Sequence, residues 1–443
     1  MTWTDVLEAA CKDAGAPGAA LGVIDGDSVE VATFGVRSAA TGAPVTARTR
    51  FNMGSATKML TAALLVDQAR QGRVDLDMAV ARQGDIMLPA GDLRDRVTPR
   101  HLLSHRAGFF GDVFAPDVRG AAALETYAAR APSFERTCAP GALFSYNNAA
   151  FALAARLTEI VADTPWLDLV RSRILAPLGA TDLTQGAQAT NDEAVGHAVT
   201  GEGAVVIADE PVIAAMAPAG STFKGSIIDA VAIATALTRR RPPFAPAIFA
   251  EMRTMITGPT PSFAAAWGLG LQQFDTAGAL IGHDGATPGQ FAFFRSAPER
   301  GQAIVLFCNG GDARWLAHAV ARAASYRMDF PQPAPLGEAC PTVRAGDIAR
   351  CGRYTAGGYE VCVARDGDAL RADSAAPDAN GDLVPSFCAR LSPVSGDATG
   401  ELFLAAMPGS RTPAHQRFVT DADGREFLLF RGRLFPKRPG ASA

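Results

Sequence analysis

The sequence predicts an α+β fold: an antiparallel sheet flanked by helices, with an all-helical region beside it and a small all-β barrel after it. Three observations lead there. Strand patterns follow an opening helix and return in series after residue 265, with helical patterns between them. The late strands are joined by short turns marked by Gly or Pro, as antiparallel hairpins are. Beyond the Pro-rich stretch PQPAPLGEA the pattern changes to short strands alone.

In chain order, an opening helix is followed by GAALGVIDGDSVEVATFGVRS, whose alternation and DG turn read as a two-stranded hairpin. TKMLTAALLVDQARQG is apolar at helical spacing and closes on Gly72. Residues 98–107 open a helix on Thr98 with Pro99 at its first position. Helices over 148–162 and 165–176 are separated by DTP, AVVIADEPVIAAMAPAGS is irregular, and SIIDAVAIATALTRR is helical. WGLGLQQFD, ALIGHDGATPG, QFAFFRSAPE and QAIVLFCNGG are strands. YEVCVARDG, ALRADS, ELFLAAMPG and QRFVTDADGREFLLFRGRLF are the strands of the terminal unit. The expected domains are therefore residues 1–330, a linker at 331–339, and residues 340–443.

Composition narrows the function. The chain has 443 residues, 48% of them hydrophobic, and a formal net charge of −4. That is ample for a packed core, and nothing in the balance favours nucleic acid, which needs clustered Lys and Arg. Apolar runs are broken by charge well short of the ~18 residues of a membrane span. The start, MTWTDVLEAACKDAGAPG, has no basic or apolar leader pattern, and the seven cysteines form no CxxC pair. The expectation is a cytoplasmic protein with free thiols and no cofactor or metal.

Three places carry candidate chemistry. In FNMGSATKML, Ser55 and Lys58 lie three apart and share a helix face. A serine at a helix start sits where developing negative charge is favoured. A lysine desolvated beside it would have its pKa drawn towards ~7–8, useful for a base. Such a shift of about three units costs ~4 kcal/mol of stability, which a chain accepts mainly where function needs it. Yet SxxK arises by chance about once in a chain of this length, and an N-cap with a surface lysine explains it equally. In GALFSYNNAAFAL, Tyr146 is placed to relay a proton and Asn148 to hold a carbonyl; alternatively Asn147 or Asn148 only caps the next helix. In LIGHDGATPGQFAFF, His283 is followed by Gly285, where a glycine admits close approach of a substrate backbone and N–H groups for an oxyanion hole; a plain hairpin is the alternative.

SATK, YNN and HDG in this order, each at an element boundary, resemble the serine β-lactamase and penicillin-binding-protein superfamily, nearest its class C β-lactamase-like branch of esterases, D-aminopeptidases, amidases and acyltransferases. RVTPRHLLSHRAGF, ILAPLGATDL, WGLGL and IVLFCNGG extend the likeness over about residues 5–325. The resemblance implies a β-lactamase/transpeptidase-like fold and assigns Ser55 as nucleophile, Lys58 as its base, Tyr146 as proton relay and Asn148 as carbonyl ligand. His283 stands where many members carry the lysine of KTG, and the backbone N–H groups of Ser55 and Ala286 would form the oxyanion hole. HDG in place of KTG removes a fixed cation, since a histidine is only partly charged at pH 7. This argues against a dedicated β-lactamase.

HLLSH sets His101 and His105 four apart but lacks the Glu of a zincin, so it reads as structural. The tail RGRLFPKR reads as a strand end with a solvated terminus. The terminal unit resembles the lipocalin-like barrel of cytoplasmic D-aminopeptidase-like enzymes and of penicillin-binding-protein-type thioesterases. It serves either packing or substrate gating. The expected function is a serine acyl-enzyme hydrolase or acyltransferase acting on a peptide, amide, ester or thioester, with D-residues as one preference. The substrate is a small molecule or a peptidyl group, free or bound to a carrier protein. Alternatives are a thioesterase that releases and macrocyclises a nonribosomal peptide, and a non-catalytic sensor that keeps the pocket.

Overall fold

Helix Trp3–Ala14 opens on a capping box in which Thr2 and Asp5 satisfy each other's backbone N–H groups. Its buried face, Trp3, Val6, Leu7, Ala10 and Cys11, lies on the sheet that follows. The structure is a computed structural model and describes residues 1–180, 184–185, 192–200, 203–207, 213–221, 223–255, 264–340, 342–378, 382–397, 399, 401–406 and 410–439.

The main sheet is antiparallel. Its strands run in the order Ala43–Pro44, Ser28–Ser38, Gly18–Asp25, Gln302–Cys308, Gln290–Ala297, Ile281–Thr287, Gln272–Gln273 and Ala266–Trp267. The first hairpin therefore joins the late strands at Ala19↔Cys308, which explains why both of these strands are continuous apolar runs. Each is central and covered on both faces. Helices Trp3–Ala14 and Ala313–Met328 cover one face; Ile227–Thr238 and the helical region cover the other. Gly22 lets Ile227–Thr238 approach: a Cβ there would stand 2.3 Å from Val231.

Helix Thr57–Arg70 is buried on nearly every side and packs against Asn148–Ala162, whose bounds agree with the predicted 148–162. The helix predicted for 98–107 is only Pro99–Leu103, because His105 turns to φ +59. The one predicted for 165–176 starts at Trp166 and passes through a π turn at Val170–Leu175. The stretch read as irregular holds most of the strand Gly203–Val206 and the 3₁₀ segment Ala214–Ala219, while residues 208–212 lie outside the described residues. No described helix is long and apolar enough to cross a membrane, and all seven cysteines are free.

The terminal unit is a nearly closed, up-and-down barrel of eight antiparallel strands from Gly352–Ala356 to Arg433–Pro436. Last and first strands meet at Tyr354↔Lys437 and through Arg438 N–H to the Arg353 carbonyl (2.8 Å). Its interior is filled by Tyr354, Val361, Leu370, Phe403, Phe418 and Leu428. Strand Leu383–Pro393 escapes sequence reading because Pro385 and Pro393 break its pattern. The ladder accommodates them through an irregular register between Ser374 and Ala375 and at the strand's last residue.

Candidate active site

Ser55 sits in a 3₁₀ turn, Gly54–Ala56, that runs directly into helix Thr57–Arg70. Gly54 has φ +51, and a Cβ on it would lie 2.7 Å from the Ala286 nitrogen. On Gly285 a Cβ would stand 2.0 Å from the Met53 carbonyl oxygen. The two glycines thus let strand Ile281–Thr287 press against the nucleophile turn and bring the Ala286 backbone to Ser55. Sequence reasoning reserved Gly285 for a substrate backbone; its close neighbour is the chain's own turn.

Lys58 is completely buried one helical turn on. Its Nζ lies 3.0 Å from Ser55 Oγ, 2.8 Å from Asn148 Oδ1 and 2.6 Å from the Ala219 carbonyl. Burial, and then the charge of Arg433, holds its pKa well below the ordinary lysine value, with Asp112 opposing. The two carbonyl oxygens can only accept, so a neutral amine spends its two N–H bonds on them. Its lone pair is left facing the Ser55 hydroxyl. The orientation of the Asn148 amide is fixed in turn, because its Nδ2 donates to Asp112 Oδ1 at 2.7 Å. Arg433 holds Asp112 in a fork at 2.8 and 3.1 Å.

RGRLFPKR, expected to be a strand end with a solvated terminus, does form that strand end and exposes Arg438, but turns Arg433 inward. Arg433 does begin the last strand, but the barrel turn Arg431–Gly432 docks on the YNN segment: Tyr146 N–H donates to the Gly432 carbonyl (2.7 Å) and Leu434 N–H to Ser145 Oγ (3.2 Å). The fold turns a terminal arginine inward because a carboxylate 321 residues away waits for it. Asp112 and Arg433 are the members that sequence reasoning missed. Nothing local marks either of them.

Tyr146 is buried and its hydroxyl hydrogen-bonds Ser55. Burial pushes its pKa up, against that hydrogen bond and Arg433, so the phenol stays protonated near neutral pH. Lys58 Nζ and the Arg433 guanidinium lie 4.8 and 4.9 Å from its ring centre, and His105 stacks on it at 4.3 Å. His105 accepts the Asn147 N–H on Nδ1 (2.9 Å), while His101 accepts the Thr98 N–H (3.3 Å). Each histidine of HLLSH therefore has a structural task.

The ambiguity of the two asparagines resolves cleanly. Asn147 is the N-cap, accepting from Ala150 N–H at 2.7 Å, and Asn148 is left for Lys58. Asn147→Ala is expected to lose about 1 kcal/mol of stability and little acylation rate. Asn148→Ala should slow acylation of Ser55 about 100-fold. Urea unfolding and the rate of labelling by an activated ester would separate the two, and equal rate losses would contradict the division of labour.

His283 departs from expectation. It is fully buried, burial and Lys58 press its pKa down to about 3, and it is neutral at pH 7 instead of partly charged. Nδ1 lies 2.6 Å from the Asp284 carbonyl oxygen, which can only accept, so the proton sits on Nδ1. Nε2 is buried and has no hydrogen-bond partner among the described residues, which leaves it an unused acceptor.

Residues 3–326 match the family model described as Beta-lactamase. The chain is 30% identical over 334 residues, 70% of its own length and 85% of the relative's, to penicillin-binding protein 4 of Amycolatopsis lactamdurans. Among solved structures it is similar to SurE with D-Leu, with TM-score 0.77, 28% identity and 98% of each chain covered. A D-amino acid amidase from Ochrobactrum anthropi SV3 shares the fold at TM-score 0.62 and 22% identity, over 73% of this chain and 98% of that one.

Proposed function

We propose, from the premise that this chain belongs to the Beta-lactamase family of serine hydrolases, that Ser55 forms an acyl-enzyme with a peptide, amide, ester or thioester. The observation that carries this is the buried amine of Lys58, whose two carbonyl partners turn its lone pair to Ser55 Oγ. As the oxygen attacks the substrate carbonyl carbon, its proton passes to Lys58. The oxyanion collects the N–H groups of Ser55 and Ala286, an arrangement worth ~3–4 kcal/mol. The Tyr146 hydroxyl, bonded to Ser55, relays a proton to the leaving group. Water or an amine then takes the acyl group and returns the proton, regenerating Ser55. Asn148 orders Lys58 and holds the substrate carbonyl. A preference for D-residues is supported by the likeness to SurE with D-Leu.

A second reading, release and cyclisation of a peptidyl thioester by the substrate's own amine, is favoured by two features. The barrel turn covers Tyr146, which limits water, and neutral His283 offers Nε2 to an amine N–H. Both readings include a carrier-bound acyl group and no metal. A fluorophosphonate should label one serine per chain and fail on Ser55→Ala. Equal labelling of the two would leave only a non-catalytic pocket. With a peptidyl thioester mimic, loss of thiol alone marks cyclisation, and loss of thiol with gain of water marks hydrolysis.

A further inference from the structure

Residues along a strand alternate between faces. His283 faces Lys58, and its neighbour Asp284 faces the other way, into a cavity of about 320 Å3 behind the sheet. Small-molecule sites run from roughly 300 Å3 upward. The cavity lies where the sheet, helix Ala313–Met328 and the barrel meet. Phe293, Ile304, Leu306 and Val320 make its apolar wall.

One of its charged groups has no direct partner among the described residues. Asp284 is held in a two-point pair by Arg295, with Nη2 at 3.1 Å, and the same guanidinium stacks on Phe274 at 3.4 Å. Arg417 lies 3.7 Å from Glu401. Arg314 also lines the cavity, half-buried, and makes no hydrogen bond or ion pair with any described residue. The near carboxylate, Asp312, is engaged elsewhere, accepting from Trp315 N–H (3.2 Å), Ser410 Oγ–H (2.9 Å) and Arg411 N–H (2.7 Å). His318 lies one turn on from Arg314, on the same helix face and cavity wall. Asp284 and Asp312 attract Arg314 only at longer range, and a half-buried arginine with no directly paired carboxylate at an apolar wall is costly unless an anion joins it.

We propose that this cavity is a second binding site, separate from Ser55, for an amphiphilic carboxylate whose chain lies on the apolar wall and whose anionic end pairs with Arg314 beside His318. The test is calorimetric titration of the full chain with octanoate, and with octanol and octylamine as probes of equal length. Octanoate should bind saturably, one per chain, at least 10-fold more tightly than either. Protein blocked at Ser55 by fluorophosphonate should bind it equally well. Arg314→Gln should reduce octanoate affinity about 10-fold and leave octanol unchanged, while Arg314→Lys retains most of it. The site would be overturned by no saturable octanoate binding, by octanol binding as tightly, or by octanoate binding that disappears in the Ser55-blocked protein. The alcohol and amine comparisons use the unaltered chain, so they decide even if the Gln variant folds poorly.

Discussion

Lys58→Met is expected to reduce acylation of Ser55 by 10⁴-fold or more and, at the same time, to raise the melting temperature. A positioned base alone contributes 10²–10⁴-fold, and groups acting as a unit fail together. Methionine fills nearly the same volume without a buried amine. The stability effect has a definite pH dependence. Because the folded-state pKa of Lys58 lies below its unfolded value, the folded chain binds fewer protons between the two. Stability from this group is therefore fully present above the unfolded pKa and is lost as pH falls through the window to the folded pKa. The gap in melting temperature between variant and parent should widen over that fall and then level. Calorimetric scans of both proteins, starting above the ordinary lysine pKa of 10.5 and stepping down in pH, would measure it. A gap independent of pH would mean that Lys58 stays charged in its site. The acylation rate of the parent should rise with pH through the same folded pKa. His283, already neutral above about 3, should leave no inflection near neutrality.

Gly220→Ala is expected to be nearly as damaging, through the backbone alone. Gly220 follows Ala219, whose carbonyl binds Lys58, and has φ +114. A Cβ there would lie 2.0 Å from the Gly54 carbonyl oxygen and 2.7 Å from the Ser55 nitrogen. Neither atom can move without shifting the nucleophile turn. The expected cost is about 3 kcal/mol of stability and at least 100-fold in acylation, since the Ser55 N–H is half of the proposed oxyanion hole. Gly72→Ala is the control. It too has positive φ, at +73, but nothing lies within 4 Å of its Cβ position. It should cost about 1–2 kcal/mol and leave labelling intact. Urea unfolding with fluorophosphonate rates would compare the three proteins, and unimpaired labelling of Gly220→Ala would contradict this wall of the site.

The lesson for sequence reading lies in particular residues. The Thr98-Pro99 and Ser226 helix starts were legible because a cap is decided within three residues. Strand Leu383–Pro393 was not, because Pro385 is tolerated beside a bulge at Ser386 in that same strand and Pro393 only as its last residue, and both depend on pairing with distant strands. Ser55 and Lys58 shared a helix face on spacing alone. Which asparagine caps and which serves Lys58 could not be read, since both stand at the same boundary and differ only in what the rest of the chain brings near.

By itself, then, the sequence determined the order and kind of most of the elements, the strand patterns of most of the terminal barrel, and the juxtaposition of a serine with a lysine. These follow from periodicity and capping, which act over a few residues. Only the tertiary structure decided that Lys58 is fully enclosed, that His283 is neutral with Nε2 left as an unused acceptor, and that Arg433 reaches back to Asp112 to orient Asn148. Protonation depends on burial and on charges brought from distant parts of the chain, and those distances exist only once the chain has folded.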